Sequence, residues 1–357
     1  MSNVLRQRAN TGRAKALAEG WSPAALRFAP GQQTVVQFSN GEEAGASCLR
    51  CTDAPCAKFS DEETIPSNFD RFPADRNPDV CAAGAINQPD GGGAPTIDAA
   101  RCILCGVCSS RCPVGAIRLI PGQGAIVDDV PNVAFIEVAD ILREQHLTDR
   151  QAFEGLPAEG AQLIENDALV DEVFGRMQRA WVRVGDRFPN LLARNLLLGA
   201  GIGASVGRKG NNHMRMDLIL SSPAVEHGVA EVEFGQEAVL DAPRDTMDAL
   251  AVLASRYGWD LNSITAVVVT DVLPNRRSEY WHIIQDISNV FGVQIGTVTV
   301  FLLMLFNWNR RTLELGEGQP FYADRETESY RAEVLELLIG RAVYLSNSPR
   351  PQIDIAK

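Results

Sequence analysis

The sequence predicts an α/β and α+β chain in two unlike parts. A small cysteine-bearing unit comes first, and a larger α/β sandwich on a mixed sheet follows. Three observations carry this expectation. All eight cysteines lie between Cys48 and Cys112 of the 357 residues. Two cysteine segments end in matching strings, CAAGAI from Cys81 and CPVGAI from Cys112, which marks a local repeat. From residue 165 onward, helical periodicities alternate with short apolar runs, the pattern of helices packed on a sheet.

Composition bounds the function. Hydrophobic residues make up 45% and charged residues 22%, both ordinary for a globular protein. The formal net charge of −12 excludes a broadly basic nucleic-acid surface, though not a local basic cleft. The first residues, MSNVLRQRANTGRAKALAEGW, hold no apolar core of a secretory signal. The most apolar run, Val298 to Phe306, is far shorter than the roughly 18–20 residues of a membrane span. The expectation is a cytoplasmic protein without membrane contact.

Residues 1–29 read as an N-terminal extension, and 30–130 as the cysteine unit. Cys102, Cys105 and Cys108 are spaced x2, x2. Zinc knuckles need only two close thiols, whereas three wrap the corners of a cubane cluster and take a fourth thiolate from elsewhere. Cys112-Pro113 completes C-x2-C-x2-C-x3-C-P. That string resembles the bacterial dicluster ferredoxins. The resemblance implies two [4Fe–4S] clusters, with each fourth cysteine ligating the other cluster. Carried onto this chain, it places Cys48, Cys51, Cys56 and Cys112 on one cluster. Cys102, Cys105, Cys108 and Cys81 hold the other. The first half departs from the family: its spacing is x2 then x4, and alanine follows Cys81 in place of proline. Residues 58–80, polar and proline-rich, read as a surface loop inserted before Cys81.

Residues 131–164 are polar and mixed, and read as a helical linker. The unit from 165 to 320 then opens with a helix. Leu169, Val170, Val173, Phe174, Met177, Trp181 and Val184 recur at helical spacing, with Asn166 or Asp167 as a cap. A second helix covers about 190–198 and stops at Gly199. GAGIGASVG, 199–207, reads as a helix stop and turn, since it lacks the flanking strand and helix of a phosphate loop. MDLIL and VAEVEF flank a Ser-Ser-Pro turn and read as paired strands. A helix follows with Asp241 near its cap, Pro243 in its first turn, Met247, Leu250, Ala251, Ala254 and Tyr257 along it, and Gly258 as its stop. SITAVVVTDV is a buried strand. SEYWHIIQDISNVF is a helix with Tyr280, Ile284, Ile287 and Phe291 on one face. VQIGTVTVFLLMLF is a last buried strand. Residues 321–357 form a C-terminal helix and tail.

The paired strands carry acids. Asp217 begins the first, while Glu231 and Glu233 stand two apart on the second and so share one sheet face. Converging carboxylates are costly unless a cation neutralises them, and Mg2+ or Mn2+ suits such a set. The same alternation also fits a solvated strand face. With the order of elements around it, this region resembles the PD-(D/E)xK restriction-endonuclease-like superfamily over about residues 165–310. Asp217 matches the first acid and Glu231 the second, while Glu233 stands where lysine is usual. The resemblance implies a magnesium-dependent deoxyribonuclease, an endonuclease-type hydrolase. Asp217 and Glu231 would hold the metal, Glu233 would orient water, and Lys209 would replace the missing cation. Arg208 and Arg215 flank the acids in sequence. The expected partners are DNA and a protein that loads the chain onto it, with homo-oligomers left open. The alternative is an electron-transfer iron–sulfur protein whose C-terminal unit only docks a partner or DNA. His146, His213, His227 and His282 are scattered and read as surface or strand-end residues. Arg276 and Arg277 read equally as phosphate contacts or a solvated loop.

Overall fold

The computed structural model describes residues 33–34, 48, 50–51, 53–90, 93–112, 116–120, 122–127, 129, 166–211, 213–235, 238–308, 312–316, 318–319, 321–325 and 345–346. The predicted helical linker and most of both terminal segments lie outside the described residues.

The C-terminal unit opens with helices α3 (Asn166–Val184) and α4 (Phe188–Gly199). The predicted cap at Asn166 or Asp167 falls on side chains outside those described. Five strands follow: β6 (Gly203–Val206), β7 (Leu218–Ser222), β8 (Val225–Glu233), β9 (Ile264–Thr270) and β10 (Ile295–Thr299). Helix α5 (Ala242–Tyr257) joins β8 to β9, α6 (Glu279–Phe291) joins β9 to β10, and α7 (Val300–Trp308) follows β10 directly. The sheet order is β10-β9-β8-β7-β6. Strands β6, β7 and β8 are an antiparallel meander, whereas β8, β9 and β10 run parallel, as two helical crossovers require. The sheet is therefore mixed, and the order of elements follows the periodicities except at β6 and α7.

The pleat sorts the apolar residues into two layers. Leu218, Leu220, Ala230, Val232, Val267 and Val269 face one core, with α3, α4 and α7. Ile219, Val229, Ala266 and Val268 face the other, with α5 and α6. Glu231 and Glu233, on the Val229 face of β8, thus belong to the α5 side.

The cysteine unit is built from α1 (Asp61–Thr64), β2 (Ile86–Asn87), β3 (Thr96–Ile97), α2 (Val107–Arg111), β4 (Ile117–Ile120) and β5 (Gly124–Val127). The β2–β3 and β4–β5 pairs are both antiparallel. Its apolar residues, Leu104 and Val107 among them, join the same core as α4 and α7. The two units divide the sequence but share one interior. Two further short strands, Gln33–Thr34 (β1) and Leu345–Ser346 (β11), pair with each other.

Several expectations are corrected. Residues 58–80 are not a surface loop. Phe69 and Phe72 are each 5% exposed and sit in the α5–α6 core, where Phe69 meets the rings of Tyr257 and Trp259. Asn68 Nδ2 donates to the carbonyls of Leu220 and Glu226, and Asp75 N donates to Val206 O. Ala74 bridges to Gly207, and Arg187 pairs with Asp75. The segment covers β6, the edge strand, whose open backbone groups need partners. The stretch 199–207 is likewise not just a stop and turn, since Gly203–Val206 is that edge strand. A Cβ on Gly203 would stand 2.5 Å from Ser221 Oγ, so glycine permits the close β6–β7 pairing. The last apolar run is two elements. Strand β10 ends at Thr299, whose Oγ1 accepts from Leu302 N, and α7 begins at Val300. Every residue of α7 is buried, so the run has no polar face to betray a helical period. On α6, Phe291 is 63% exposed and Trp281 takes the buried place instead. On α5, Ala251 faces outward. Among the described residues, no helix is long and apolar enough to cross a membrane.

Candidate metal centres

The thiols form two groups of four. Burial pushes the Cys48, Cys51 and Cys56 thiols up, and in all three the nearby Cys112 sulfur adds to the shift. Burial likewise pushes Cys102, Cys105 and Cys108 up, and Cys81 adds to each. Cys81 itself is raised by burial against the pull of four backbone N–H groups, Ala85 first. Cys56 also acts on Cys108, so the two groups are neighbours. None of the eight cysteines is in a disulfide.

The local repeat has a backbone counterpart. Ala85 N donates to Cys81 Sγ at 3.2 Å, and Ala116 N donates to Cys112 Sγ at the same 3.2 Å. Arg50 (φ 52) and Leu104 (φ 62) are the non-glycine residues with positive φ among those described. Each is the second residue between the first two cysteines of its half. The left-handed turn is strained for a residue with a Cβ, yet it recurs at the same place in both halves.

The donor set fits [4Fe–4S] clusters. Each group offers four soft sulfurs, with N–H groups aimed at Cys48, Cys81 and Cys112 to offset thiolate charge. Buried, mutually repelling thiols hold their protons, and metal binding displaces them.

Arginines brace both groups. Arg111, directly before Cys112, is 4% exposed. Its Nε donates to Pro55 O, beside Cys56, and its Nη atoms form a paired contact with Glu63 at 2.7 and 3.1 Å. Glu63 completes the capping box of α1 with Ser60. Arg176 on α3 donates to Ala99 O and Cys102 O. The α7 end clamps the Cys102–Cys108 loop: Trp308 Nε1 donates to Leu104 O at 2.7 Å, and Ser110 Oγ donates to Asn307 Oδ1 at 3.0 Å. No sequence signal marked Arg111, Asn307 or Trp308, since each acts on a distant segment.

The acids gather at the α5 face. Asp217 lies just before β7, where its Oδ1 accepts from Asn190 Nδ2 of α4 at 2.7 Å and its Oδ2 accepts from Val232 N at 3.0 Å. Glu231 is 7% exposed, and its Oε2 has no hydrogen-bond partner. Burial pushes its carboxyl well above the usual range, with Asp217, Glu233 and Asp245 adding to the shift. Glu231, Glu233 and Asp245 each offer an oxygen, all within 4.8 Å of one another. Asp245, in the first turn of α5, was not among the expected residues. Its one sequence signal was an acid in the first turn of the helix after the acidic strand, which helix electrostatics explains without a site.

The remaining candidates are not members of this acid cluster. Lys209 occupies an exposed turn between β6 and β7, and Arg208 N donates to Pro73 O at its start. Arg215 pairs with Asp248. His213 and His282 are exposed, and the His227 ring packs on Trp259 at the far end of β8 from the acids. His146 lies outside the described residues. Arg276 and Arg277 are exposed in the loop after β9.

Residues 95–118 match the 4Fe–4S binding domain family. Over 70 residues the chain is 33% identical to an uncharacterized ferredoxin of Methanocaldococcus jannaschii. That alignment covers 20% of this chain and 31% of the ferredoxin, so the chain spans under a third of that relative's length. No solved structure matches the chain. The cysteine motif, its buried sulfurs and this family match together identify the chain as an iron–sulfur protein with a ferredoxin-type 4Fe–4S domain.

Proposed function

We propose that this iron–sulfur protein holds two [4Fe–4S] clusters and hydrolyses DNA phosphodiesters at a divalent-cation site on its C-terminal sheet. Cys48, Cys51, Cys56 and Cys112 take one cluster, and Cys81, Cys102, Cys105 and Cys108 the other. The observation that carries the hydrolase reading is Glu231: a buried carboxylate with an open oxygen, ringed by further acids. Mutual repulsion disfavours such a set unless a cation is bound. When bound, Mg2+ or Mn2+ would supply an acidified water and shield the phosphate. Glu231 and Glu233 would hold the cation, and Glu233 would also orient the attacking water. Asp217 is the positioned acid beside them, held by Asn190. Lys209 meets the phosphate from its exposed turn. A loading protein supplies the affinity for DNA that a net charge of −12 lacks.

A second reading is supported by the likeness to a ferredoxin: electron transfer, with the C-terminal unit as a docking module. One experiment separates the two. Cluster-loaded protein is incubated anaerobically with single- and double-stranded DNA and Mg2+ or Mn2+, beside Glu231→Gln. Cation-dependent cleavage by the parent, lost in the variant, is the expected result. Reversible cluster reduction with no cleavage under either ion would leave electron transfer as the function.

A further inference from the structure

We propose that Asp245 of α5 is a direct ligand of the cation, with Glu231 and Glu233 of β8, and that Asp217 stands outside the coordination sphere as a positioning residue. This rests on the cation site proposed above and names its ligand set. Three observations support it. First, the carboxylate oxygens of Glu231, Glu233 and Asp245 lie within 4.8 Å of one another, the span of oxygens around a hard divalent ion. Second, Glu231 is 7% exposed, and its Oε2 lacks a hydrogen-bond partner. A buried carboxylate oxygen without a partner calls for one, and a cation between the three acids would supply it. Third, both oxygens of Asp217 already accept hydrogen bonds, from Asn190 Nδ2 and Val232 N.

The fold explains the arrangement. Glu231 and Glu233 are two apart on β8 and point to the α5 side of the sheet. Crossover α5 begins soon after β8 ends, so its first turn returns over that side and brings Asp245 to them. The nearby arginines are engaged at the rim, Arg215 with Asp248 and Arg244 with Asp241 and Glu279. The set is all oxygen and carries up to three negative charges. Such a set suits hard divalent ions such as Mg2+ and Mn2+.

The test uses full-length, cluster-loaded protein, so that the thiols are occupied. Mn2+ binding is followed by the paramagnetic resonance of the free ion, and Mg2+ binding by calorimetry. The parent is expected to bind one Mn2+ beyond its iron. Asp245→Asn should weaken binding about tenfold or more, because affinity follows ligand charge. Asp217→Asn and the rim control Asp248→Asn should each change it less than about threefold. Asp245→Asn binding as tightly as the parent would overturn the ligand assignment. So would a loss in Asp217→Asn equal to that in Asp245→Asn. A parent that binds no Mn2+ or Mg2+ would overturn both the assignment and the cation reading beneath it.

Discussion

Trp308 joins the two units at one hydrogen bond, and Trp308→Phe tests what that bond does. Its indole is 6% exposed and donates to Leu104 O at 2.7 Å. Leu104 is fully buried and holds a positive φ of 62 inside the loop that carries Cys102, Cys105 and Cys108. Phenylalanine keeps most of the ring but strips the donor from a buried carbonyl. Such a loss costs about 1–3 kcal/mol. If the loop must open for its cluster to leave, and about 1.4 kcal/mol is a factor of ten, release accelerates roughly 5- to 150-fold. The cluster assigned to Cys48, Cys51, Cys56 and Cys112 is braced through Arg111 instead and should be released at the parent rate. A chelator added anaerobically to holo-protein, with visible absorbance and liberated iron followed in time, resolves the two phases. Gly106→Ala is the companion variant: its Cβ would stand 2.6 Å from Trp308 Cδ1, at a φ of 88, so it should loosen the same loop. Two phases unchanged in Trp308→Phe would refute the clamp. Equal acceleration of both phases would show a general loss of stability instead.

Cys112→Ser should empty the cluster that includes Cys48, Cys51 and Cys56 while Cys102, Cys105 and Cys108 keep theirs; loss of the latter cluster alone, seen by paramagnetic resonance, would reverse the pairing. Asp271, 2% exposed, is raised to about 7 by burial, against N–H groups from Gly235, Asp271 and Val272. The folded state thus keeps a proton that the unfolded chain sheds near pH 4, so stability falls as pH rises from about 4 to 7 and stays lower above. The full effect is on the order of 4 kcal/mol, and Asp271→Asn should be the more stable protein at pH 8 in thermal unfolding, with the gap closing toward pH 5.5. Phe72→Ala should cost about 3–5 kcal/mol in chemical denaturation, a loss that a surface loop would not show.

The division between sequence and tertiary structure follows the range of the forces involved. Metal ligation is read from spacing, because three thiolates on one cubane must lie within a few residues of each other. The string from Cys102 to Cys112 therefore announced its chemistry unaided. Helices α3, α5 and α6 and strands β8 and β9 were legible for a similar reason. Each buries one face or is framed by a cap and a glycine stop, and these signals are local. Glu231 and Glu233 were legible as a pair because the strand repeat places them together. What the sequence left undecided depends on partners far along the chain. The apolar run of α7 is buried on every side, so only its neighbours determine that it coils after Thr299. Residues 58–80 look solvated by composition, yet Phe69 and Phe72 find a core, and Asp75 an open strand edge, more than a hundred residues away. Asp245 looks like an ordinary helix-start acid until the crossover lays it over β8. Trp308 and Leu104 are about two hundred residues apart, and a single buried hydrogen bond between them cannot be read from either segment.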